Sequence, residues 1–243
     1  MRVSILCFVI ASIGACRSET ARQTNSTSDA SGGATVSSTT VGADTLPQIT
    51  AETLEVVPKD SATREQVSRI ETYRARLDSL LGTRAPVVRF YARLGKEDDS
   101  GCVTPTDSVV AVPDPDNWPE NRGAVIVLVV EQGRVLAVRE FPTSCSGDWE
   151  NSYTHTFDTL GHTVAFRRFS GFFNGCPRVA HELSTYYFAP SAGTVLAKHY
   201  SMTDRDGKPF SPALCEAFYY RYPYQIFSRW GAAATGMHFP LVP

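Results

Sequence analysis

Residues 123–141 read GAVIVLVVEQGRVLAVREF, and this stretch decides the fold class. Its first half is short, apolar and rich in β-branched residues, as the central strands of a sheet are. Gln132-Gly133 follows at once and leads into a second apolar stretch, which is typical of two strands joined by a tight turn. The stretch therefore predicts a β-hairpin with strands at 124–131 and 134–141.

The same strand–turn–strand pattern recurs along the chain. Further strands are predicted at 88–94, 153–158, 162–169, 186–188, 194–201 and 217–227. Helices do not alternate with these strands, which argues against a parallel α/β sheet. We therefore predict a mainly β fold, an antiparallel meander in the form of a curved sheet, a small barrel or a sandwich.

One amphipathic helix precedes the strands, at about residues 62–82. Thr63 is its predicted cap, with Gln66 three residues on, and Gly82 is the expected stop. Apolar residues recur at helical spacing between Val67 and Leu81, so one face should pack on the β-rich domain. That role is favoured over a coiled coil, because little more than two heptads are present.

The amino terminus has the form of an export signal. Met1-Arg2 supplies one positive charge, and a short apolar run follows. The run ends at Ile13-Gly14-Ala15-Cys16, which resembles the lipobox of bacterial lipoproteins. The resemblance implies a signal peptide at 1–15, cleavage before Cys16 and lipidation of that cysteine. An ordinary secretory signal is the alternative.

The resemblance implies acyl chains such as palmitate on Cys16. Two or more acyl chains hold a protein stably in a bilayer, so this modification would anchor the protein durably. Arg17 stands where enterobacterial lipoproteins retained at the inner membrane carry aspartate. We therefore expect the protein in the bacterial cell envelope, with the outer membrane or cell surface favoured over the inner membrane. Residues 16–45 are rich in serine and threonine and predict a flexible tether to a single domain at 46–243.

Composition excludes several function classes. The chain has 243 residues, with 23 basic against 25 acidic side chains and a net charge of -2. That balance argues against a nucleic-acid partner. The longest apolar run falls short of the roughly 20 residues of a membrane-spanning helix.

Four cysteines remain for the exported domain. They are Cys102, Cys145, Cys176 and Cys215, an even number that predicts two disulfides in an oxidising compartment. Three pairings are possible, and Cys102–Cys145 with Cys176–Cys215 is preferred because cysteines in loops tend to bridge nearby segments. Their wide spacing contains no Cys-x-x-Cys pair, so no metal site is predicted from them.

No familiar catalytic or nucleotide-binding motif occurs, so no catalytic residue and no cofactor are predicted. The sharpest catalytic hypothesis is an envelope hydrolase or metal-dependent enzyme centred on His155, Asp158 and His162, with Asp148 as a further carboxylate. The alternative is that these histidines are ordinary sheet residues.

Aromatic residues are concentrated in the carboxy-terminal half. Tyr220, Arg221 and Tyr222, together with Trp149 in the loop after Cys145, suit a contact surface that stacks and hydrogen-bonds. The alternative is an aromatic core with ordinary cross-strand tyrosine pairs, and a Trp149 that packs on that core. We therefore favour an envelope binding or assembly module that contacts a protein, peptide or glycan, and we favour it over an enzyme. No family is recognised for the mature domain.

The lipid modification can be tested directly. Mass spectrometry of the mature protein should find an amino terminus at Cys16 that carries acyl chains, and Cys16→Ser should release the protein from the membrane fraction. An unmodified Cys16, or a mature chain that begins elsewhere, would contradict the prediction.

Overall fold

The computed structural model of the protein describes residues 55–173, 179–209, 211 and 224–239. The predicted signal peptide, the tether and Cys16 lie outside these residues. Within them, no helix is both long enough and apolar enough to cross a membrane.

A single antiparallel sheet of eight strands dominates the described residues. Its strands are β1 (Val88–Glu97), β2 (Val103–Ala111), β3 (Arg122–Glu131), β4 (Arg134–Pro142), β5 (Trp149–Phe157), β6 (Thr163–Phe172), β7 (Ala180–Phe188) and β8 (Val195–Asp204). Their order is β2-β1-β3-β4-β5-β6-β7-β8, so six consecutive strands form a meander and a β1–β2 hairpin completes it. The mainly β prediction is confirmed. The sheet is open, with β2 and β8 at its edges, and is neither the barrel nor the sandwich.

The predicted hairpin lies at the centre of the sheet as β3 and β4. Glu131 pairs with Arg134, and the two turn residues between them both have positive φ, 51° at Gln132 and 74° at Gly133. Such a turn matches the right-handed twist of the strands, and glycine adopts it without strain.

The structure also differs from the predicted strands. β2 was not predicted, because it is an exposed edge strand interrupted by Pro105 and shows no apolar alternation. β7 begins at Ala180 rather than at 186. The predicted last strand, 217–227, lies mostly outside the described residues, and its described part at 224–227 forms no regular strand.

Helix α1 spans Ser61–Leu81. Its cap is Asp60 rather than Thr63: the Asp60 carboxylate accepts the main-chain N–H of Thr63 at 2.8 Å. An aspartate before the first turn satisfies a free N–H group and also favours the positive end of the helix dipole. Gly82 is the carboxy-terminal cap, as predicted.

The two faces of the sheet are covered by different parts of the chain. On the first, the α1 face, Leu77 and Leu81 of α1 pack against Val127 and Val129 of β3. On the second, here called the C-terminal face, helix α2 (Trp230–Gly236) packs against the alternate residues of the same strands. Helix α2 was not predicted.

Ion pairs add to the apolar contact between α1 and the sheet. Asp78 of α1 accepts from Arg139 of β4 at 2.7 Å and from Arg167 of β6 at 3.0 Å, and it also pairs with Arg74. Burial lowers the pKa of Arg139, which Asp78 opposes. A carboxylate shared by three guanidinium groups fixes the helix across two strands.

One disulfide is present among the described residues. It joins Cys102 to Cys145, with 4.9 Å between their Cα atoms, and so ties the β1–β2 turn to the β4–β5 loop. This is the first of the two preferred pairs, and Cys176 and Cys215 lie outside the described residues.

The contact between α1 and the sheet should dominate stability. Leu77 is 1% exposed, so Leu77→Ala leaves a cavity and should lower the free energy of unfolding by about 3 kcal/mol in urea titration. Arg69→Ala, on the exposed side of the same helix, should change it by less than about 0.5 kcal/mol. Equal effects of the two substitutions would contradict this packing.

Candidate functional site

Of the residues predicted as a catalytic centre, Asp158 and His162 lie together, but His155 does not join them. Asp158 follows the end of β5, where its carboxylate accepts the main-chain N–H groups of Leu160 and His162 at 2.9 Å and so closes a turn. The His162 ring approaches the same carboxylate at 3.4 Å. His155 contacts neither residue through its ring nitrogens, because its ring hydrogen-bonds the main chain of Phe227 and of Gln225 instead.

These residues also form no metal site. In the part of the chain that the structure describes, no three His, Cys, Asp or Glu side chains lie close enough to hold an ion. The aspartate–histidine pair is therefore explained by turn formation, as an Asx-type side chain at the start of a turn commonly is.

Only part of the predicted contact surface lies within the described residues. Trp149 is half-buried at the start of β5 and lies opposite Phe172 of β6. Tyr220, Arg221 and Tyr222 lie outside the described residues.

A cavity of about 360 Å³ lies between the C-terminal face and the segment that covers it. The sheet contributes Arg93, Ala124, Glu140, Tyr153 and His155 to its walls. The segment 224–239 contributes Tyr224, Gln225, Phe227, Gly236 and Met237. Register explains the first set: paired residues on neighbouring strands share a face, and Arg93 lies opposite Ala124, Glu140 opposite Tyr153.

An ion pair forms one wall of this cavity. A guanidinium nitrogen of Arg93 lies 3.1 Å from Glu140 Oε1, with both side chains more than four-fifths buried. Burial raises the pKa of Glu140, and Arg93 opposes the rise. Arg93 also donates to the main-chain oxygen of Met237 at 3.1 Å, yet its Nε is buried without a hydrogen-bond partner.

His155 forms the floor and is 1% exposed. Its Nε2 accepts the main-chain N–H of Phe227 at 3.1 Å, so the proton of the neutral ring is on Nδ1. The ring also hydrogen-bonds the main chain of Gln225. Burial lowers the pKa of His155 from 6.5 to about 3, and the main chain of Gln225 opposes this only in part. The ring is therefore neutral at physiological pH.

Unpaired polar atoms are concentrated on this face. The Nε atoms of Arg93 and Arg168 and both amide atoms of Asn151 are buried without a hydrogen-bond partner among the described residues. Register places these three side chains on the C-terminal face. Burying a polar group without a hydrogen bond costs about 1–3 kcal/mol.

A second ion pair continues the polar region beyond the cavity. Arg168 of β6 and Glu182 of β7 approach to 2.5 Å, and the Arg168 guanidinium lies over the Tyr224 ring at 5.1 Å. Tyr224 therefore connects this pair to the cavity wall.

A further groove, of about 500 Å³, lies between residues 84–91 and 111–115. One arginine that lines the groove, Arg84, pairs with Asp116 at the exposed surface. None of the unpaired buried atoms belongs to the residues that line the groove. It is the weaker candidate for this reason.

The sequence did not identify Arg93 and Glu140 as site residues. A signal was present, because Glu140 falls in the strand RVLAVREF at a position that alternation assigns to the same face as Val138. A charge at such a position needs a buried partner, but the sequence does not show which strand supplies it.

Comparison of the chain with protein-family models, curated proteins and solved structures finds no match. Function is therefore argued from the geometry of the C-terminal face.

His155 generates a prediction about pH. The unfolded chain binds a proton at this ring near pH 6.5 and the folded chain only near pH 3, so folding disfavours that proton. As the pH falls from about 6 to 4, this ring should lower the free energy of unfolding by about 1.4 kcal/mol per pH unit. His155→Gln, which cannot titrate, should lose that dependence in urea titrations at each pH.

His199→Gln is the matched control, because His199 is exposed on β8. The raised pKa of Glu140 makes the free energy of unfolding change with pH in the opposite direction, but this contribution is the same in the unsubstituted protein and both variants. An unchanged slope in His155→Gln would show that the ring is accessible to protons in the folded state.

Proposed function

We propose that this protein is a lipid-anchored binding module of the bacterial cell envelope that holds a small polar ligand, or the end of a glycan or peptide chain, in the cavity of its C-terminal face. The lipobox at Cys16 and the tether to residue 45 support the envelope location. The polar side chains that line the cavity support the binding role.

The polar side chains that line the cavity carry this proposal. A face made only to close the core would place apolar residues there, as β3 and β4 do at Ile126, Leu128 and Val138. Beside those residues the same face instead presents Arg93, Glu140 and His155, whose polar groups are hydrogen-bond donors and acceptors. Such groups, set among apolar walls, are what orients a ligand.

The dimensions agree with a small ligand. A volume of about 360 Å³ falls in the range of small-molecule sites, which is roughly 300–1,000 Å³. A concave site of this kind suits a small molecule or a chain end better than the flat surface of a folded protein. The contact surface predicted at Trp149, Tyr220, Arg221 and Tyr222 stays a prediction.

A cavity-filling substitution tests the binding function. The full chain, in a detergent without a sugar head group, is heated with N-acetylglucosamine, benzoate or alanyl-alanine. At least one compound should raise Tm, because a ligand that binds only the folded state stabilises it. Ala124→Val narrows the cavity and should abolish that rise.

Ala92→Val is the matched control. Ala92 is equally buried, on the strand next to Ala124, but it lies opposite Val125 and so faces α1. Both substitutions should cost about 1–3 kcal/mol of stability through overpacking. Ala92→Val should retain the rise in Tm. No rise with any compound in the unsubstituted protein would refute the proposal.

A further inference from the structure

We infer that the ligand of this cavity is uncharged and rich in hydroxyl groups, as a saccharide is. The inference rests on the proposed function and adds the chemical class of the ligand. Three properties of the walls lead to it: their charge balance, their hydrogen-bonding groups and their apolar surface.

The charges of the cavity cancel internally. Among the described residues that line it, Arg93 and Glu140 are the two charged side chains, and they pair at 3.1 Å. His155 adds no charge, because burial lowers its pKa far below neutrality. A charged ligand would therefore lose its hydration without gaining an opposite charge, which is costly in a buried site. An uncharged ligand avoids this cost.

The walls offer both donors and acceptors. Arg93 supplies guanidinium N–H donors on one side of the wall, beside Glu140. The Glu140 carboxylate accepts, and the exposed amide of Gln225 both donates and accepts. A hydroxyl group can meet either kind of partner, so a ligand with several hydroxyls complements this mixture, whereas a hydrocarbon would leave all of it unpaired.

The rest of the wall is apolar. Phe227, Met237, Pro105 and Pro142 border the cavity, together with the Tyr153 ring. Rings and prolines present flat C–H and aromatic surfaces, which suit the C–H faces of a pyranose ring. The combination of a flat apolar surface with polar groups of both kinds matches a sugar better than it matches a peptide terminus, which carries a charge.

Charge-matched sugars test the ligand class. Glucose, galactose, mannose and N-acetylglucosamine are compared with glucuronate and glucosamine, which add one negative or one positive charge to the same ring. Binding to the full chain is measured by calorimetry in a detergent without a sugar head group. At least one neutral sugar should bind, and both charged analogues should bind about tenfold or more weakly.

Glu140→Gln supplies a sharper test, because glutamine has the same shape and leaves the Arg93 charge uncompensated. This variant should reverse the order and bind glucuronate about tenfold or more tightly than glucose. Glu97→Gln, at the exposed end of β1, should keep the original order. Circular dichroism establishes that both variants are folded.

The outcomes separate the ligand class from the binding function. If a charged analogue binds the unsubstituted protein as tightly as the neutral sugars, or if Glu140→Gln keeps the original order, the inference is wrong. If benzoate or alanyl-alanine raises Tm and no neutral sugar binds, the inference is wrong and the binding function stands. If no compound of either panel binds, both are wrong.

Discussion

The packing of the β3–β4 hairpin between two helices is the constraint on which the rest of the structure depends. Because α1 covers one face and α2 the other, alternate residues of both strands are buried on opposite sides. This is why the hairpin is a nearly continuous apolar run rather than an alternating one, a pattern more common in parallel sheets with two covered faces. The chain before β1 and the chain after β8 must therefore both return to this hairpin.

The candidate site lies where that apolar packing stops. From Ile126 and Leu128 the C-terminal face continues to Glu140 and His155. Two polar side chains of this face, His155 and Arg93, hold the segment that covers it. The Phe227 main chain donates to His155, and the Met237 main chain accepts from Arg93. The same side chains thus position the cover and border the cavity beneath it. Changes in the cavity are therefore expected to reach the covering segment directly.

Much of the fold could be predicted from the sequence, but little of the site could. Gln132-Gly133 marks a hairpin locally, and Gly82 ends a helix locally, so short-range rules sufficed for both. Sequence proximity misled the catalytic hypothesis: His155 faces inward from β5, whereas Asp158 lies beyond the strand end and closes a turn. Arg93 lies on β1 and Glu140 on β4, and β3 lies between these two strands. Their contact therefore depends on the register of β1 with β3 and of β3 with β4, which no local sequence pattern encodes.

The buried ion pair is itself an argument for function over structure. Replacing a buried pair by apolar residues of similar volume is often neutral or stabilising, because the desolvation of both charges offsets their attraction. Stability alone therefore gives no reason to keep Arg93 and Glu140 next to Val138, on a face where apolar residues already pack well. The arginine Nε adds a further cost, since it is buried without a partner. The C-terminal face departs from its apolar pattern at two buried pairs, Arg93–Glu140 and Arg168–Glu182, and the first of them borders the cavity, which is the departure that the proposed ligand would account for.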